Sequence, residues 1–93
     1  MTPEHRKARG ERAQRLLDDE MFQDIMSHIE GELTTAWKQT KADEIQRRED
    51  AWRSLRLLHK LKSGFRKIAD DGHVAAQDIL LEETRQKGPK RAA

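Results

Sequence analysis

Ninety-three residues with 39% charged side chains, 34% hydrophobic ones and a mean hydropathy of −1.04 describe a single domain with little apolar material for a core. The chain has no cysteine, which excludes disulfide stapling and thiolate metal sites and leaves an intracellular setting as the default. Its formal net charge is only +2 and its longest apolar runs are three residues, so neither charge-driven disorder nor a membrane span or secretory signal is expected.

Thr2 followed by Pro3 reads as a helix start, the hydroxyl capping and the proline suiting the first helical position. A first short helix is expected from Pro3 to about Leu17. Its apolar pattern is weak (Ala8, Ala13, Leu16, Leu17) and it contains Gly10, so residues 1–10 are expected as a frayed basic end. Asp18 reads as the N-cap of a second helix over residues 19–39, with Leu17 and Phe22 spaced for a hydrophobic staple across it. This helix carries an apolar stripe of Phe22, Ile25, Met26, Ile29, Leu33, Ala36 and Trp37.

Thr40-Lys41-Ala42-Asp43 has capping-box spacing and opens a third helix over residues 41–71. Its stripe is Trp52, Leu55, Leu58, Leu61, Phe65 and Ile68, with Leu57 at the edge of the apolar sector. Gly72 is expected to close the helix in the left-handed conformation. A fourth, shorter helix from Val74 to Thr84 would offer Val74, Ile79, Leu80 and Leu81 for docking, and residues 86–93 would form a frayed basic tail. Leu, Ile, Val and Phe number only 17 of 93, yet they fall in helical register instead of scattering.

The expected fold class is therefore all-α. Two long helices form an antiparallel hairpin flanked by short helices at both ends, within a single helical domain over residues 1–93. Two helices cannot enclose a core of their own, since each turns one stripe inward and leaves its flank open. Without cysteine or a clear metal site, completion by oligomerisation or by docking on a larger partner is the physical expectation. The candidate core and interface residues are Phe22, Ile29, Leu33, Trp37, Trp52, Leu55, Leu58 and Phe65. Trp37 and Trp52 bracket the turn, so they would approach one another as a core plug or serve as an interface anchor.

Charge is blocked along the chain: residues 1–15 carry +3, 16–46 carry −6, 47–67 carry +6, 68–84 carry −5 and 85–93 carry +4. An acidic second helix beside a basic third helix would attract one another weakly, within one chain or between copies. On the third helix Arg53, Arg56, Lys60 and Lys67 fall on the side away from the apolar stripe. They form a candidate face for a nucleic-acid backbone or an acidic partner.

No catalytic constellation is present. Asp24, His28 and Glu32 succeed one another at i+4 spacing, but the His-Glu-x-x-His arrangement of helical zinc sites is missing, and a solvated acidic face is the plainer reading. The four histidines have no serine or cysteine at a recognisable spacing, and the five glycines are isolated, so no phosphate loop forms. The expectation is a protein without catalytic, metal or cofactor-binding residues.

The series Arg12-Ala13-Gln14-Arg15-Leu16-Leu17-Asp18, then Phe22, Glu32, Ala36-Trp37, Thr40, Arg47-Arg48-Glu49, Trp52-Arg53, Leu55, Leu58, and Gly72 with Ala75 resembles small helical proteins encoded in the virion-morphogenesis gene clusters of tailed bacteriophages and prophages. The likeness covers roughly residues 8–77. It implies a phage structural or assembly component, acting in the virion or in the cytoplasm of the infected bacterium, and brings no binding residues with it.

The leading expectation is thus a non-enzymatic phage structural or assembly protein that associates with copies of itself or with a head or tail component. The alternative is a DNA-binding packaging or regulatory factor, such as a small terminase-like subunit, using the basic helix face. A third is an inhibitor of a host protein.

Overall fold

A computed structural model describes residues 1–87, and these fold into three α-helices: α1 (Pro3–Asp18), α2 (Glu20–Lys38) and α3 (Ile45–Lys87). The fold is all-α. The tail from Gly88 onward lies outside the described residues, and most of the expected basic end over 86–93 with it. Two compact units make up the chain, one of Met1–Arg15 with Phe65–Ala93 and one of Leu16–Gly64. No helix among the described residues is long and apolar enough to cross a membrane.

The helix starts follow local hydrogen-bond chemistry. Thr2 caps α1, its hydroxyl oxygen accepting from the His5 N–H at 3.1 Å, with Pro3 in the first helical position. At the start of α2 the cap is Asp19, one residue later than expected, with the Phe22 N–H donating to its carboxylate at 2.8 Å. The neighbouring Leu17 carbonyl, left over at the end of α1, accepts from the Gln23 side chain at 2.8 Å.

The expected capping box at Thr40 is not formed as such. The Thr40 hydroxyl turns back to donate to the Trp37 carbonyl at 2.7 Å and so closes α2. Glu44 takes over the forward role: its carboxylate accepts from the Lys41 N–H at 2.8 Å and from Arg47 at 2.8 Å. Both contacts hold the Glu44 carboxyl below its ordinary range, the backbone N–H contributing most. With Asp43 outside the helix, α3 starts at Ile45, four residues after the expected boundary.

The expected break at Gly72 is absent. No glycine among the described residues has a positive φ, and α3 runs unbroken through Gly72 to Lys87, so the separate fourth helix over 74–84 is part of α3. Gly72 serves contact instead. A β-carbon added to Gly10 would stand 2.5 Å from the Gly72 Cα and 3.1 Å from the Ile68 carbonyl oxygen. One added to Gly72 would stand 2.6 Å from the Gly10 Cα and 3.2 Å from the Arg6 carbonyl oxygen. The two helices touch there backbone to backbone, which only glycine at both positions permits.

Around that point the unit built from 1–15 and 65 onward is packed by small residues. Ala13, Ala69 and Ala75 are buried with Gly10 and Gly72, while Phe65, Ile68, Ala76 and Ile79 are half-buried. A bidentate ion pair lies beside the glycines: Arg6 donates through Nη2 to Asp71 Oδ1 at 2.8 Å and through Nε to Oδ2 at 3.1 Å. Residues 3–10, expected to fray, are helical and supply this contact.

In the unit of residues 16–64, Met26 of α2 and Leu58 of α3 are the buried large side chains. Phe22, Leu33, Ala51 and Leu55 are half-buried around them. Contacts between the two helices are polar at their rim. Glu30 lies 3.7 Å from the Lys62 ammonium and 3.6 Å from His59 Nε2, and the Arg48 guanidinium sits 5.7 Å from the centre of the Trp37 ring.

Candidate functional site

The unit of residues 16–64 holds most of the candidate residues, and their positions follow from one repeated pattern. On α2, Met26 is buried, the residues one before and three after it are Ile25 and Ile29, and the residue four after is Glu30. On α3, Leu58 is buried, the corresponding neighbours are Leu57 and Leu61, and the residue four after is Lys62. Glu30 and Lys62 meet across the pair. At about 100° per residue, positions one before and three after a buried residue lie on the opposite flank from the position four after it.

That flank is apolar and open. Ile25 is 52% exposed, Ile29 38%, Leu57 69% and Leu61 50%. Aliphatic side chains in this number, standing beside two buried ones, are an arrangement suited to packing against another helical surface.

Of the two expectations for the tryptophans, the core plug is not met. Trp37 is 38% exposed and Trp52 is 50% exposed. Each ring is faced by an arginine: Arg48 over Trp37, and Arg56, one turn along the same helix, over Trp52 at 4.9 Å. Neither ring is a buried plug. Both remain available at the surface with one face taken by a cation.

Of the other expected interface residues, Leu58 is buried, Phe22, Leu33 and Leu55 are half-buried, and Ile29 is on the open flank. Phe65 is half-buried in the other unit, so the stripe of the long helix is shared between two packing environments.

The basic face is partly spent within the chain. Arg53 reaches Glu49 at 3.2 Å and Arg56 lies on Trp52. Lys60 is exposed in the unit of residues 16–64, and Lys67 is exposed in the other. Two members of the acidic series on α2 are in contact, His28 Nε2 and Glu32 Oε1 being 2.5 Å apart, and among the described residues no three acidic or histidine side chains gather as a metal site would require.

Sequence reasoning missed the contact at Gly10 and Gly72 and the Arg6–Asp71 pair beside it. A signal was present: Ala69, Gly72 and Ala76 repeat small residues at helical spacing, and Gly10 and Ala13 do the same on α1. Neither a family model, nor a curated protein, nor a solved structure matches this sequence.

Proposed function

We propose that the chain is a non-enzymatic association protein whose residues 16–64 act as an antiparallel helical hairpin, completed by a second helical surface. The carrying observation is the open flank of Ile25, Ile29, Leu57 and Leu61 beside the buried Met26 and Leu58. The hairpin reading is supported by the order of contacts: Glu30 meets Lys62 and, further along α2, Trp37 meets Arg48, which is earlier on α3.

The surface that completes it belongs to another copy of the chain or to a phage head or tail component, a setting that rests on the sequence resemblance. The DNA-binding alternative has less support, because Arg53 and Arg56 of the proposed phosphate face are held by Glu49 and Trp52. The test is the mass of the full chain in solution, by light scattering, followed by detection of the protein in purified particles. A well-folded monomer that binds no virion component overturns the proposal.

A further inference from the structure

The open flank of the hairpin is bordered by two rims of opposite charge. Beyond Ile25 and Ile29, the outer edge of α2 carries Asp24 and Glu32, with His28 between them. Beyond Leu57, the outer edge of α3 carries Lys60, which is exposed, and Arg53, which is paired with Glu49 of the same helix, so Lys60 is the basic group this edge offers a partner. The apolar strip therefore runs between an acidic edge and a basic edge.

We propose that this flank binds a second copy of the chain about a two-fold axis parallel to the helices, so that α2 of each copy lies over α3 of the other. The inference rests on the hairpin reading above and names both its partner and its geometry. Two copies that meet through the same flank are related by a two-fold axis lying in the interface, and that axis runs either across the helices or along them.

An axis across the helices stacks α2 on α2. Asp24 and Glu32 then face their own counterparts, and the Lys60 edge faces its own. Both edges repel. An axis along the helices exchanges the edges, so the acidic rim of each copy meets the basic rim of the other, twice per dimer. Either axis makes every neighbouring pair of helices antiparallel, as in a four-helix bundle, so the charged edges alone decide between them.

The register agrees. Glu30 lies level with His59 and Lys62 within one copy, and rotation about an axis along the helices preserves level. Glu32 of one copy accordingly falls within a turn of Lys60 of the other. The same rotation brings Ile29 over Leu61, with Ile25 and Leu57 about one turn beyond that pair on either side, so the apolar strip closes around Ile29 and Leu61 between the two charged edges.

The chain contains no native cysteine, so single-cysteine variants read the geometry directly. Under mild oxidation, a mixture of Glu32→Cys and Lys60→Cys chains gives chiefly the mixed disulfide dimer. Chiefly self-linked products overturn the proposed axis. Glu32→Lys and Lys60→Glu each weaken dimerisation about tenfold, since each puts like charges together at two symmetric places, and the combined variant recovers the native affinity.

Leu57→Asp, at a position exposed within one copy, yields a monomer of unchanged helicity by circular dichroism. A native chain that sediments as a monomer overturns both this inference and the self-association reading. A dimer whose affinity is indifferent to the charge reversals, or whose combined variant fails to recover, overturns the geometry alone.

Discussion

Gly10 and Gly72 approach so closely that a β-carbon on either would stand 2.5 or 2.6 Å from the α-carbon of the other. The obstacle is backbone, which no rotamer change can move aside. Gly10→Ala and Gly72→Ala are each expected to destabilise the unit of Met1–Arg15 and Phe65 onward by about 1–3 kcal/mol or more. Gly31 and Gly64 have open space where a β-carbon would stand, so alanine there is expected to stabilise by up to about 1 kcal/mol through helix propensity. Urea melts of the four variants read the contrast.

The Arg6–Asp71 pair makes stability depend on acid. Its hydrogen bonds hold the Asp71 carboxyl below its ordinary value of 3.8 and push the Arg6 guanidinium up from an already high one. A depressed carboxyl contributes stability above its unfolded value and loses it as pH falls through the folded value. The advantage of the native chain over Asp71→Asn is therefore expected to be full above pH 3.8 and to vanish on further acidification. Thermal melts of both proteins across that range check the sign.

Asp19→Ala is expected to cost about 1 kcal/mol, the usual loss when an N-cap side chain is removed. The Phe22 N–H loses its side-chain acceptor at the start of α2. Asn at the same position retains an acceptor oxygen and is expected to restore most of the loss. Chemical denaturation of the two variants locates the cap experimentally.

Arg56 covers one face of Trp52, so Arg56→Ala is expected to make that indole more accessible to acrylamide quenching, with a stability loss of about 0.5–1 kcal/mol at this exposed site. Performing the measurement in a Trp37→Phe background assigns the signal. Unchanged quenching would mean that the ring does not carry the arginine in solution.

A double change of Arg53 and Arg56 to alanine separates association from DNA binding. On the association reading the native chain binds duplex DNA only at the non-specific level of roughly 10⁻⁴ to 10⁻⁶ M at physiological salt, and the variant keeps its native mass. Tight, salt-sensitive binding that the double variant loses would instead assign the basic face to nucleic acid.

The helical class was legible from periodicity, and Thr2-Pro3 marked the first helix because capping chemistry is local. The start of α2 was less determinate: Asp18 and Asp19 are chemically alike and adjacent, and only the backbone decides which one caps. Gly72 shows a deeper ambiguity. Glycine closes helices with a positive φ and also lets backbones meet, and a sequence does not distinguish the uses. Its partner, Gly10, lies 62 positions away, so the close contact that Gly72 makes has no local signature.

The flank of Ile25, Ile29, Leu57 and Leu61 was half legible. Three of these residues stood in the apolar stripes and Leu57 at the sector's edge. Which part of a broad stripe is buried depends on how the facing helix is rotated, and the Glu30–Lys62 contact supplies that rotation. The tryptophans were expected either to meet as a core plug or to serve as an interface anchor; a nearby arginine offers each ring an attractive electrostatic partner without burying it, so neither is a plug.

Trp37 and Trp52 are the chain's two tryptophans, it has no tyrosine, and both lie in the unit of residues 16–64. Intrinsic indole emission is consequently a private reporter of that unit, whereas far-ultraviolet dichroism sums every helix. Monitoring one denaturation by both optical signals reveals whether the molecule melts cooperatively: superimposed curves mean a single transition, and separated midpoints mean that its halves unfold in sequence.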